Sequence, residues 1–185
     1  MSGVEGAMRF IFETGMLKRA KRTGWWIAGV PEPESIADHS FRVGVVGAIL
    51  AAMEGADPNR VALLGLLHDT QETRVGDIPH IGRRYVTTVP NERVTADQVA
   101  HCPPAVAAMV QDAVDEYEKG ETVEALVAHD ADKLECLVQA VEYRSSGNAN
   151  IQPWIDSTLA SLKTASAQQL AQAALDGDPI GWRNP

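Results

Sequence analysis

The chain has 185 residues, enough for one well-buried core, and nothing in that length demands a second domain. Lys+Arg 16 against Asp+Glu 25 leaves a formal net charge of -9, an acidic balance that disfavours broad nucleic-acid binding but leaves room for a local basic pocket holding one small anion. Cys102 and Cys136 lie far apart without CxxC spacing, and the stretch MSGVEGAMRFIFETGML carries Glu5 and Glu13 with no continuous apolar run, so a disulfide framework, a zinc-thiolate site, a signal peptide and a membrane span are not expected and a cytoplasmic location is.

Apolar residues recur at helical spacing almost throughout, and no stretch sustains period-2 alternation between hairpin turns. The expected fold is an all-α, single-domain helical bundle. A first helix is expected over residues 6–18, with Phe10, Ile11, Met16 and Leu17 supplying its apolar faces. The loop KRTGWWIAGVPEPE follows, punctuated by Gly24, Gly29, Pro31 and Pro33. Ser35 then stands as an N-cap with Asp38 three residues on, the capping-box spacing with Asp in place of Glu. The register of that helix sets His39, Val43, Val46 and Leu50 along one side. Asp57-Pro58 opens another helix with proline at its first position, and this one is expected to run through Val61, Leu64, Leu67 and His68 to about Glu72. Gly76 and Pro79 impose irregular backbone, and residues 83–90 give no clear reading. Further helices are expected at residues 92–100, 104–119, 121–145 and 153–175, the last rich in Ala and Gln and suited to cover the bundle or to pair two copies. Their short connections favour a compact bundle over a repeat, and residues 177–185 read as a flexible tail.

The apolar run in LLGLLHDTQETRVGDIPH ends in His68, Asp69, Glu72 and Asp77, and buried charge is costly unless it is paired or bound to a metal. His39 on one helix, His68-Asp69 near the end of the next and Asp132 in HDADKLE form the set that matters. Two imidazoles and two carboxylates offer nitrogen and oxygen donors to one divalent ion, a mixture that suits Mn, Fe, Co, Ni or Zn better than Mg or Ca. Adjacent residues on a helix project about 100° apart, so His68 and Asp69 reach one ion only where the helix end points at it. Glu72, four residues after His68 and three after Asp69, shares their face and is suited to orient or deprotonate a water, or to protonate a leaving oxygen.

Other polar residues have plainer readings. His80, His101 and His129 lack the spacing of a second metal constellation, and Asp130 competes with Asp132 but cannot share its helix face. Lys133 and Glu135 are expected as surface pairs or as supports of the ligands, Arg83 and Arg84 at a pocket mouth or, preferably, in solvent, and Cys102 and Cys136 as small buried hydrophobes. In KRAKRTGWW, the residues Lys18, Arg19, Lys21 and Arg22 are candidates to grip a phosphate, for which a guanidinium has the best bidentate geometry. Trp25 and Trp26 read equally as core packing or as a pocket wall.

Taken together, the order His39, His68-Asp69, Asp132, the pattern HDxxExxxGDIP from His68 to Pro79 and ADKLE from Ala131 to Glu135 resemble the HD-domain metal-dependent phosphohydrolases. Within them the chain is most similar to the branch of bacterial 5'-deoxynucleotidases and related eukaryotic and archaeal HD-domain-containing proteins. The likeness takes in LKRAKRTGWW and PESIADHSFRV and covers about residues 17–143, the expected metal-binding core of a domain over residues 1–176 with a closing helix at about 153–175. It implies an all-α fold and one divalent metal held by His39, His68, Asp69 and Asp132. It also implies hydrolysis of nucleoside 5'-monophosphates with deoxyribonucleotides favoured, and a homodimer. The metal would polarise the phosphoryl oxygen and lower the pKa of a bound water. In the resembling enzymes the position of Asp77 contacts the sugar, whereas its residue-level alternative is to cap a turn through backbone N–H groups. Trp25 matches the family's tryptophan beside the sugar, which makes Arg22, with Lys21 beside it, the choice for the phosphate. One position departs: the bacterial enzymes carry an arginine immediately before that tryptophan, where this chain has Gly24 in the eukaryotic-like pattern RTGW, and the phosphate-binding residue stays open on that account. The expected partner is a small nucleotide, with neither a nucleic-acid polymer nor a membrane. The alternatives are an HD-domain hydrolase of a cyclic diester, a triphosphate or a specialised metabolite, and a nucleotide-binding regulator without turnover.

Overall fold

Caps written in the sequence set where the helices begin. In the computed structural model, which describes residues 2–183, Ser2 Oγ accepts from Glu5 N while the Glu5 carboxylate accepts from Ser2 N, so α1 (Gly3–Thr14) starts three residues before the apolar pattern announces it. It runs on into a 3-10 turn, Gly15–Lys18, and together they bury Phe10 and Leu17 but leave Ile11 and Met16 exposed. The expected loop contains a short α2 (Gly24–Ile27). The predicted box opens α3 (Ile36–Glu54): Asp38 N donates to Ser35 Oγ at 3.1 Å, and Ser35 N to Asp38 Oδ2 at 2.9 Å. Asp57 and Pro58 open α4 (Pro58–Leu67) in the same way.

Past α4 two expectations need correction. The helix expected to reach Glu72 stops at Leu67 and resumes as a single turn, α5 (Glu72–Val75). α6 (Asn91–Val99), α7 (Pro104–Lys119) and α8 (Val123–Ser145) match the expected elements within two residues. The single helix expected over 153–175 is two, α9 (Gln152–Ser161) and α10 (Ala165–Asp176). The break has a cause in α8: the Asp130 carboxylate accepts from Lys163 N at 3.0 Å and Thr164 N at 2.6 Å, and Thr164 Oγ1 then caps α10. A side chain that satisfies backbone N–H groups competes with the helix for them. Gly181–Arg183 close a 3-10 turn within the expected tail, whose last residues, Asn184 and Pro185, lie outside the described residues. Among the described residues no strand forms, only one bridge between Lys21 and Ser35.

α3 packs against α4 and α8 at the centre, burying Val43, Leu50, Val61, Leu64, Leu134 and Leu137. Full burial of side chains of this size stabilises by about 1.5–3 kcal/mol each. Gly47 and Gly65 permit the close approach of α3 and α4, since a Cβ on them would stand 2.8 Å from Val61 Cγ1 and 2.9 Å from Val43 Cγ1 respectively. α9 and α10 close the other side of α8 through Ile155, Ala167 and Ala171. The outer face of α3 is different: Phe41, Val45, Ile49 and Met53 recur every four residues and stay exposed.

Candidate active site

Three elements bring the predicted ligands together. His39 lies one turn into α3, facing Asp132 and Glu135 on α8, and His68-Asp69 come from the end of α4. Beyond Leu67 the backbone tightens, with Thr70 N donating to Leu67 O and Glu72 N to Asp69 O, both at 3.1 Å. Residues three apart eclipse in such i→i−3 turns, so Asp69 and Glu72 share a side although no continuous helix joins them. His39 Nε2 lies 3.2 Å from Asp132 Oδ1 and 3.8 Å from Asp69 Oδ2. His68 Nε2 lies 3.2 Å from Asp69 Oδ2 and 3.9 Å from Asp132 Oδ1.

Both rings are held from behind. His39 Nδ1 pairs with the buried Glu135 carboxylate, and His68 Nδ1 with Gly65 O at 2.8 Å. An Nδ1–H committed to such partners turns the Nε2 lone pair inward, the arrangement that metal-binding histidines use. His39 Nε2 is buried and makes no aligned hydrogen bond. Two convergent imidazole nitrogens and two carboxylates are a donor set that suits one divalent ion. Glu135 in turn accepts from Arg42 Nε at 2.9 Å, and Arg42 Nη1 donates to Glu142 at 2.8 Å. Glu135 thus belongs to the interior, behind the ligands.

The charges explain which protons stay. Burial would raise Asp69, but the His68, Arg22 and His39 charges hold it well below the usual carboxylate range. Burial likewise opposes the ionised Asp132, and His39, Lys133 and His68 outweigh it. Burial and the nearby Arg22 charge disfavour a positive charge on His39, yet Asp132 and Glu135 raise its pKa to about 9, so this corner seeks a cation. Burial, then the Asp69 and Asp77 charges, push Glu72 up to about 9, and the carboxyl holds its proton at neutral pH. Burial raises the Cys136 thiol against the pull of Arg22.

A cavity of about 440 Å³ opens above this cluster, lined by Arg22, Trp25, His68, Asp69, Glu72, Asp77 and Asp132 among others. Arg22 Nη1 donates to Asp69 Oδ2 at 3.3 Å and Nη2 to Cys136 Sγ at 3.0 Å. Lys21, named with it, is not brought to the cavity: its Nζ donates to Pro33 O at 2.7 Å and stands 4.0 Å from Glu32. Trp25 serves both of its readings, 2% exposed yet lining the cavity, with Nε1 donating to Glu34 Oε1 at 3.0 Å. Trp26 is exposed. Asp77 takes Thr23 N and Thr23 Oγ1 on one oxygen, Oδ2, which ties its loop to the start of α2, and it also lines the cavity.

Sequence reasoning missed several residues here. Trp154 stacks 6.0 Å from Trp25 and reaches the cavity wall, a tertiary arrangement with no local signal. Cys136, read as a core hydrophobe, lines the cavity, and its i+4 spacing from Asp132 was the available clue. Lys133, expected as a pair or support of the ligands, donates to Asp132 Oδ2 at 2.7 Å and lines the same cavity, and Arg83 takes the pocket-mouth one of its two readings. Asp130 points elsewhere, to the α9–α10 break. His80, His101 and His129 join none of the potential metal-holding groups among the described residues.

Comparison with known proteins identifies the family. The 5'-deoxynucleotidase HDDC2 of Xenopus laevis is 31% identical over 176 residues, spanning 93% of this chain and 87% of its own. That of Dictyostelium discoideum is 32% identical over 165 residues, spanning 82% and 87%. Among solved structures, a conserved hypothetical protein from Pyrococcus furiosus superposes with a TM-score of 0.73 at 27% identity, over 92% of this chain and 99% of that one. The HD domain profile matches residues 14–174, and the chain belongs to the HD-domain family.

Proposed function

We propose that this HD-domain protein is a metal-dependent phosphomonoesterase that hydrolyses nucleoside 5'-monophosphates, deoxyribonucleotides above all, to nucleoside and phosphate. One observation carries the reading: His39 Nε2, His68 Nε2, Asp69 and Asp132 converge at the floor of a cavity that also presents Arg22 and Glu72. The cavity's volume falls in the range of about 300–1,000 Å³ usual for small-ligand sites. The deoxynucleotidase names of the relatives support the substrate class.

A divalent transition ion at His39, His68, Asp69 and Asp132, whether Mn, Co, Zn, Fe or Ni, supplies Lewis acidity and a water of lowered pKa. Arg22 holds the phosphate, its guanidinium already oriented by Asp69 and Cys136. Glu72 keeps its proton until the P–O5' bond breaks and delivers it to the leaving 5'-oxygen as water adds to phosphorus. Trp25 and Asp77 flank the sugar, Asp77 with Oδ1 left over from its contacts to Thr23. We further propose a cytoplasmic homodimer paired through the exposed Phe41, Val45, Ile49 and Met53 face, within a domain bounded at residue 176.

The test is phosphate release from deoxy- and ribonucleoside 5'-monophosphates, with 3'-monophosphates and a cyclic diester as controls, after chelation and metal re-addition. Metal-restored release confined to the 5'-monophosphates is the expected result. Release from the diester alone, or none from a metal-loaded protein, overturns the reading.

A further inference from the structure

The family-like ligands leave one neighbour unexplained. Cys136 sits one turn beyond Asp132 on the same face of α8, and its Sγ, His39 Nε2 and a carboxylate oxygen of Asp132 all lie within 4.8 Å of one another. Donors bound to one ion at about 2.0 and 2.3 Å stand no more than about 4.3 Å apart, so a small side-chain adjustment brings the sulfur into the same coordination sphere. A second, independent observation points to the same place: the buried His39 Nε2, without an aligned hydrogen bond, is aimed into this group.

We propose that Cys136 is a further ligand of the metal centre, a thiolate added to the two histidines and two aspartates, and that it biases the centre toward thiophilic ions such as Zn or Co. The inference rests on the metal-centre reading given above. Arg22 favours it, since its guanidinium reaches Asp69 Oδ2 with one nitrogen and Cys136 Sγ with the other, at 3.3 and 3.0 Å, and so keeps a positive charge beside the sulfur. On binding, the S–H bond breaks, a sulfur–metal bond forms and the proton leaves to solvent, so each ion releases one more proton than an oxygen-and-nitrogen set would. Soft sulfur adds affinity for Zn and Co and little for Mn or Mg. Cys102 joins no such group among the described residues and serves as the internal control.

The experiment titrates cobalt(II) into the metal-stripped full chain, into C136S and into C102S, reading the near-ultraviolet sulfur-to-cobalt charge-transfer band, the protons released and the Zn-over-Mn preference. Wild type and C102S should show the band. C136S should lose it, release one proton fewer and lose about tenfold or more of its preference for Zn, a loss at least as large as that of a supporting group. In the unmutated chain, bound Zn should protect Cys136 but not Cys102 from alkylation, which keeps the idea testable if C136S folds poorly. Cobalt bound with an identical spectrum in C136S, or equal alkylation of Cys136 with and without Zn, overturns the thiolate and leaves the metal centre standing. A wild type that takes up no cobalt sinks both.

Discussion

Replacing Glu135 with Gln asks whether the metal centre is held from behind. Glu135 is fully buried, pairing with His39 Nδ1 through one oxygen and with Arg42 Nε through the other at 2.9 Å. Gln keeps the volume but must turn its NH2 toward one of them. Facing Arg42, it removes the guanidinium's buried counter-charge. Facing His39, it forces the ring's proton onto Nε2 and silences the donor aimed at the metal. Removing one partner of a buried pair costs about 3–5 kcal/mol. Here the lower end applies, because Arg42 retains Glu142 at 2.8 Å and Gln139 at 2.7 Å. Losing the carboxylate behind a histidine ligand lowers metal affinity about 10–100-fold, or about 1.4–2.7 kcal/mol. Competition against a chromophoric chelator measures the second quantity, and urea unfolding of the metal-free protein the first. A folded Glu135→Gln protein that binds metal as tightly as wild type refutes the argument that Glu135 sets the tautomer and aim of His39.

The remaining predictions concern the cavity wall and the outer helices. Gly76 has φ 76 and ψ 161, a region essentially reserved for glycine, and no atom within 4 Å of an added Cβ. Gly76→Ala should therefore cost about 1–3 kcal/mol from backbone strain alone and raise KM by displacing Asp77, and an unchanged melting curve and KM would count against it. Arg22→Ala should lower kcat/KM by about 10–100-fold, the range of one charge-assisted hydrogen bond, while Lys21→Ala leaves steady-state kinetics nearly as they are; the reverse order would show that the phosphate sits elsewhere. Hydrogen bonding to Arg74 lowers the Glu13 pKa below 4.5 against the effect of burial, with help from Gln98 and Thr73. A depressed carboxylate stabilises above its unfolded pKa, so the deficit of Glu13→Gln should be full above pH 4.5 and shrink as pH falls through the lower folded value. Urea midpoints across pH 3 to 7 check this, and a pH-independent deficit contradicts it.

The candidate ligands could be picked out from the sequence because their chemistry and their register are both local. Ser35 and Asp57 fix where α3 and α4 begin, and those starts aim His39 and set where α4 brings His68. What the sequence hid depends on contacts between elements. Periodicity runs straight through residues 68–71, where the chain tightens into 3-10-like turns, and through 162–164, where a carboxylate from α8 captures the backbone. Lys21 was grouped with Arg22 because the basic residues cluster in sequence. At the bridge to Ser35 the backbone is extended, so these two neighbours project to opposite sides and only Arg22 meets the cavity. Trp154 reaches Trp25 from a helix more than a hundred positions away, and no local pattern announces such a meeting.

Asp130 and Asp132 stand two positions apart on α8, and successive helical residues turn by about 100°, so the two carboxylates face opposite ways. One anchors the break that launches α10, while the other closes on His39. α8 is therefore loaded on both flanks within a single turn, and slack in the last two helices is felt at Asp132. Those helices act as a brace for the floor of the cavity, so trimming or loosening them should soften the grip on any metal that Asp132 helps to hold.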